Sequence, residues 1–291
     1  MIPLAVVVHA GKTFGGGLEE LRSTLADAGY DKPVWYEVAK SRKAPRAVRK
    51  AVKNGAKLLF VWGGDGMVQR CIDALSGHDV ALAILPAGTG NLLATELGIP
   101  KNIARAVKIG LEGIRRRFDA GVVNGERFAV MTGTGLDAIM IHDTSRGAKD
   151  KLGRLAYLRG AVEAMRSRSV QTSIRLDGEL WFKGKASCVL VGNIGKVTGG
   201  IEVFDDASPS DGVLNIGVVS TKNVEEWIRV FLSIALRRRG RSKLLERASA
   251  RKIVVKLRQK RRYEVDGGLR PRTKKLRIRI HPRAITICVP R

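Results

Sequence analysis

A chain of 291 residues with 44% apolar content can build one large core or two moderate ones, which excludes an intrinsically disordered or fibrous protein. Its longest apolar runs, "LAVVV" at 4–8 and "VALAIL" at 80–85, fall far short of the roughly 20 residues that span a bilayer, and three widely spaced cysteines (Cys71, Cys188, Cys288) exclude paired zinc or disulfide spacing. The 53 Lys and Arg against 27 Asp and Glu give +26, of which +6 falls on residues 1–140 and +20 on 141–291, so the second half projects a field suited to a polyanion.

The N-terminal "MIPLAVVVHAGK" lacks a basic segment before its apolar run and a cleavage site after it. It reads as a first strand and not a signal peptide, and a cytoplasmic location is expected. "LAVVV" is a buried-strand pattern, and "LEELRSTLADAG" from Leu18 predicts an amphipathic helix closed by Gly29. "PVWYEVA" predicts a strand, "APRAVRKAVKNG" a helix ending at Gly55, "KLLFVWG" a strand and "GMVQRCIDALSG" a helix. "VALAILPAG" and "IARAVKIGLEG" add one more strand and helix. Strands alternating with helices imply a mainly parallel sheet covered on both faces. After "FDAG" at 118–121 the pattern changes to short strands: "RFAVMTG", "TSIRLDG", "ELWFKGKASCVLVG", "VLNIGVVS", "KIVVKL" and "KLRIRI", with helices near 151–166 and 223–236. That is the pattern of an antiparallel sheet or sandwich. Two domains are expected, 1–122 and 123–291, with a last strand at about 284–291 packing back on the first domain.

Two glycine turns lie about one β-α unit apart, "GGDGM" at 63–67 and "PAGTGN" at 86–91. Each follows a strand and precedes a helix, where open parallel sheets place ligands. Gly63, Gly64 and Gly66 can bring bare backbone donors to a phosphate, and the Thr89 hydroxyl and Asn91 amide can add hydrogen bonds. Asp65 would repel that phosphate unless a cation intervened or the carboxylate served another purpose.

The order "GGDGM", "LPAGTGNLLATELGIP", "GTGLDA" at 133–138, "GGIEVFDDASPSDGVLNIGVV" at 199–219 and "YEVDGG" at 263–268 resembles the diacylglycerol kinase catalytic family. That family includes bacterial soluble lipid kinases and sphingosine kinases, and is distantly similar to NAD kinases and phosphofructokinases. The resemblance implies an α/β fold class. A three-layer α/β nucleotide-binding domain comes first, a β-rich sandwich domain follows, and the lipid site lies with the cleft between them. It implies transfer of the γ-phosphoryl of MgATP to a hydroxyl of a membrane lipid, diacylglycerol or a related alcohol. By position, Gly63, Gly64, Asp65, Gly66, Met67, Val68 and Gln69, with Gly88, Thr89, Gly90 and Asn91, resemble ATP-contacting loops. Asp211 with the carbonyls of Ser208 and Val213 resembles a structural Mg²⁺ site, a donor set that suits a hard cation. Asp119 and Asp137 resemble members of a charge network at the lipid site.

The departures are equally specific. Met67 stands where Thr is usual, "HAGK" at 9–12 replaces Asn-Pro with Lys12 and Thr13 as phosphate partners, and Leu92 follows the second turn where many bacterial members have Asp. Gly268 occupies the position of a glutamate assigned as base or metal partner. Phosphoryl transfer depends mostly on positioning and charge neutralisation, so Asp65 becomes the leading candidate to deprotonate the acceptor or to hold Mg²⁺ through water. Asp266 either supplies part of the missing charge or merely shapes its turn. A relative that binds nucleotide and anionic lipid without turnover is the alternative.

"VEEWIRVFLSIALRRRGRSK", an apolar body with Trp227, Phe231 and Leu232 followed by a basic cluster, suits an interfacial element whose cations meet anionic head groups, or a core-packed helix with a basic end. The expected partner is an anionic membrane inner face, bound peripherally through the basic second domain. Nucleic acid is not expected, since aromatics are only 5% and no binding motif is present. A homodimer is left open.

Overall fold

The computed structural model describes residues 2–135, 169–195, 203–204, 207–235 and 244–291. Asp137, the helix expected near 151–166, the basic run at 237–243 and most of the segment 199–206 lie outside the described residues. The chain divides into two compact units: Met1–Ala120 with Arg127–Ala129 and His281–Arg291, and Gly121–Glu126 with Val130–Ile280.

The first unit is an α/β layer structure. Its strands are β1 (Leu4–His9), β2 (Val34–Val38), β3 (Leu58–Gly63) and β4 (Ala81–Pro86), and its helices are α1 (Gly17–Asp27), α2 (Ala44–Lys53), α3 (Asp65–Leu75), α4 (Leu92–Glu96) and α5 (Ile103–Glu112). Every residue of β3 and β4 is buried, as required of parallel strands covered on both faces. β1 pairs with β2 on one side and β3 on the other, β3 pairs with β4, and all run parallel. The order β2-β1-β3-β4 reverses direction between β1 and β3, so the ligand crevice of such a sheet opens beyond the carboxyl ends of these two strands.

The helices pack by their small and branched faces. Leu21 and Leu25 bury one side of α1, and Ala47, Val48 and Ala51 one side of α2. Asn102 caps α5 by accepting from the Arg105 amide at 2.9 Å. Gly110 lets α5 lie directly on the sheet, because a Cβ there would stand 2.3 Å from the Phe60 ring. β5 (Ile114–Val123) leads out of this unit.

The second unit is antiparallel. It contains β6 (Glu126–Phe128) in part, β7 (Met131–Thr134), β8 (Val170–Leu176), β9 (Glu179–Ala186), β10 (Cys188–Gly192), β11 (Leu214–Val219), α6 (Val224–Ala235), β12 (Leu245–Ala250) and β13 (Lys252–Val265). The strand β14 (Gly268–Val289) begins in this unit and ends in the first, where Thr286 and Ile287 pair in parallel with Ala81 and Leu82 of β4. β12, β11, β10, β7 and the end of β13 form one succession of neighbours. The start of β13 instead joins β8 and then β9, with register shifts between Lys256 and Tyr263 where the strand bends from one succession to the other. This is the β-rich sandwich that the sequence pattern leads one to expect.

No helix among the described residues is long and apolar enough to cross a membrane. In α6, Trp227 is 1% exposed and belongs to the core, as the core-packed alternative has it, whereas Ile228 and Leu232 are about half exposed at i and i+4.

Candidate functional site

The two glycine turns meet backbone to backbone at the end of the first unit's sheet. A Cβ on Gly88 would stand 2.4 Å from the Gly64 Cα, so only glycine permits this approach. The Ala87 amide donates to the Gly63 carbonyl at 3.0 Å, extending the β3–β4 ladder by one step into the turns. Asn91, buried and left-handed at φ 50°, closes the second turn by a reciprocal pair: its Oδ1 accepts from the Gly88 amide at 2.9 Å and its Nδ2 donates to the Gly88 carbonyl at 2.8 Å. Asn tolerates that conformation better than most residues, which is why the sequence can place it there.

Asp65 opens α3, with Gly64 in the capping position. Burial pushes its carboxyl above the ordinary carboxylate value, against the opposing pull of the backbone amides of Leu92, Asn91, Leu93 and Asp65 itself. The carboxylate therefore sits where the first turn meets the N-terminus of α4, and it ties the two turns together. Gly90 lies beside it, since a Cβ there would approach Oδ2 to 3.0 Å. The adjacent Gly66 is different: a Cβ added to it would meet nothing within 4 Å. No neighbouring protein atom requires glycine at this helical position, and the space beside the first turn of α3 is open.

The structure gives Met67, Val68 and Gln69 to the interior. All three are buried, the amides of Met67 and Val68 bond the Gly64 carbonyl within the helix, and Gln69 donates to the Arg127 carbonyl at 2.6 Å. Their side chains anchor the helix that carries Asp65. Thr89, at the tip of the second turn, is exposed.

Three features escape a sequence reading. Lys101 donates to the Gly88 carbonyl at 3.3 Å, placing an ammonium against the second turn. The Trp62 indole donates to the Lys12 carbonyl at 2.9 Å and stacks on Phe14 with ring centroids 4.5 Å apart, so the loop after β1 is fastened over the end of β3. Only the "HAGK" segment hinted at this loop. The third feature lies in the second unit: Arg270 makes a two-pronged ion pair with Glu126, and a Cβ on Gly268 would stand 2.6 Å from the Arg270 Nη1. A guanidinium occupies the space beside the position from which the family's glutamate is missing.

The remaining carboxylates are structurally engaged. Asp266, buried at φ 43°, accepts the Val130 and Met131 amides at 2.9 and 2.8 Å, so it shapes its turn. Asp119, also buried, accepts the Arg283 amide at 2.7 Å. Asp211 accepts from the amides of Val213 at 3.0 Å and Ser208 at 3.3 Å, which folds the "SPSDG" loop around its carboxylate. Each oxygen keeps a further lone-pair site, so a hard cation fits this set through one carboxylate and carbonyls. Among the described residues no group of three or more His, Cys, Asp or Glu gathers as a metal cluster.

Comparison with known proteins falls on the same elements. The profile of the diacylglycerol kinase catalytic domain matches residues 3–123, and that of the YegS C-terminal NAD kinase beta sandwich-like domain matches residues 130–289. The chain is 30% identical over 224 residues to the diacylglycerol kinase of Bacillus subtilis, covering 76% of this chain and 73% of that protein. It is 31% identical over 230 residues to a Pseudomonas aeruginosa protein named "Probable lipid kinase YegS-like", covering 74% and 72%. The crystal structure of a diacylglycerol kinase from Bacillus anthracis superposes with a TM-score of 0.74 at 20% identity, over 98% of this chain and 96% of that one. An NAD kinase from Archaeoglobus fulgidus shares the fold at a TM-score of 0.55 and 13% identity, over 98% and 93%.

Proposed function

This chain belongs to the diacylglycerol kinase catalytic family, a family of ATP-using lipid kinases; on that premise we propose that it transfers the γ-phosphoryl group of MgATP to the hydroxyl of diacylglycerol or a related lipid alcohol at an anionic membrane surface. The observation that carries the reading is the joining of the two glycine turns, with a desolvated Asp65 between them and open space at Gly66.

When bound, MgATP supplies the phosphoryl group and the cation that neutralises its charge. Gly66 leaves room for the phosphates above α3, whose N-terminal amides favour an anion. Lys101 adds positive charge next to the second turn. Asp65 accepts the proton of the acceptor hydroxyl: the lipid oxygen attacks the γ-phosphorus, the bond to the bridging oxygen breaks, and ADP leaves. A raised affinity for protons makes the carboxylate a better base than an exposed aspartate. The loop of Ser208, Asp211 and Val213 would hold a structural Mg²⁺ in the second unit.

A non-catalytic relative is favoured by one feature, the presence of Arg270 where a carboxylate is absent at Gly268. Calorimetric ATP binding, combined with ADP formation over a panel of lipid alcohols, separates the two. Mg²⁺-dependent ADP release that requires a lipid alcohol is expected, whereas tight ATP binding without turnover on any of them would favour the relative that only binds.

A further inference from the structure

β9, β8, β13 and the first part of β14 lie side by side in the second unit, and their registers fix which side chains share a face. On β13 and β14, Ile253, Val255, Leu276 and Ile278 are buried on one face. The alternate positions point the other way, and Lys252 lies opposite Arg279, Val254 opposite Arg277, and Lys256 opposite Lys275. Five of these six side chains are cationic. On β8, Arg175 stands opposite Val254, and on β9, Lys183 and Lys185 stand opposite Ser173 and Gln171. Asp177, just past β8, is the acid beside Lys252, and its carboxylate accepts the Arg251 and Lys252 amides.

Like charges directly opposite one another across an antiparallel pair are destabilising. This sheet nevertheless sets Lys252 against Arg279 and Lys256 against Lys275, so the arrangement calls for an external counter-charge. A groove of about 680 Å³ runs along the face, with Lys252, Lys275, Arg277 and Arg279 in its walls and Val122 and Val254 contributing apolar surface.

We propose that this cationic sheet face is where the protein docks on an anionic phospholipid bilayer. The proposal rests on the lipid kinase reading for its choice of partner, because an enzyme with a membrane lipid as acceptor must meet that membrane. The face itself favours a lipid surface over nucleic acid: beside its cations it carries apolar side chains, with Leu180, opposite Arg175, more than half exposed and Val254 half-buried, a mixture that suits a bilayer interface. A diffuse array of Lys and Arg needs only a dense negative surface, and it binds more weakly as salt rises.

The test uses the full chain and a variant with Lys252→Gln, Lys256→Gln, Arg277→Gln and Arg279→Gln, checked for an unchanged melting temperature. Co-sedimentation is measured with phosphatidylcholine vesicles, with and without phosphatidylglycerol, beside duplex DNA binding and turnover on a water-soluble short-chain diacylglycerol. The wild type is expected to bind only the anionic vesicles. At about fivefold per cation, the variant should lose roughly two to three orders of magnitude in vesicle affinity while its turnover on the soluble acceptor stays unchanged. Equal vesicle binding by variant and wild type, no preference of the wild type for anionic vesicles, or a loss confined to DNA would each overturn the proposal. Failure of the wild type to phosphorylate any lipid alcohol sinks the kinase reading instead, and leaves the vesicle comparison standing.

Discussion

Asp65 combines two demands on one carboxylate. Its proton affinity is raised by burial, so the folded state binds a proton more tightly than the unfolded chain, and stability falls as pH rises from the ordinary aspartate value through the raised one. Asp65→Asn removes that penalty, and its Oδ1 can still accept the α4 amides. The variant should therefore melt no lower than wild type at neutral pH and lose the pH dependence from this window, while kcat/KM falls by about 10²-fold or more. Calorimetric melts against pH, set beside steady-state kinetics, check both. Glycines separate in the same way. Gly88→Ala drives a methyl to 2.4 Å from the Gly64 Cα and should destabilise the fold by about 1–3 kcal/mol in a denaturant melt. Gly66→Ala meets no protein atom within 4 Å and should stabilise the helix by about 0.5–1 kcal/mol while raising KM for ATP. At Gly268 the neighbour is a flexible guanidinium. Gly268→Glu would compete with Glu126 for Arg270, so the expected result is a lower melting temperature and no gain in turnover. A rise in kcat would show instead that the missing glutamate alone limits the reaction. The glycine turns were legible in the sequence because turn chemistry is local. The carboxylate's hold on α4 and the placing of Arg270 over Gly268 were not, because each depends on residues brought together by the fold.

At the scale of elements, the second turn is closed by Asn91, with Lys101 also donating to the Gly88 carbonyl. Asn91→Ala strands the buried amide of Gly88, leaves its carbonyl to Lys101 and keeps a non-glycine residue at positive φ. About 1–3 kcal/mol of stability should be lost, and KM for ATP should rise as α4 loosens. Alternation of strand and helix made the parallel sheet readable along the first 120 residues, since fully apolar strands and amphipathic helices carry different periods. The second unit was readable only as short strands. A strand as long as β14, which serves both units, breaks the link between one apolar run and one element. Trp227 was open to misreading for a related reason. An amphipathic helix shows its period in sequence, but not which of its apolar residues the fold covers.

For the whole molecule, the uneven charge and the site in the first unit divide the work. The groups proposed for catalysis gather at the glycine turns, and cations predominate on the β9-β8-β13-β14 face. Nucleotide that binds only the folded chain must stabilise it, by about 2.7 kcal/mol at a hundredfold excess over Kd. The wild type should show that shift with MgATP, and Gly66→Ala should show less of it. The central claim, a lipid kinase whose chemistry centres on Asp65, is tested most directly by incubating γ-labelled ATP with a total lipid extract and asking which lipid becomes labelled. Label should enter one class of lipid alcohol with the wild type and fall by at least about 10²-fold with Asp65→Asn. Equal labelling by both proteins, or no labelled lipid from a wild type that binds ATP, would contradict it.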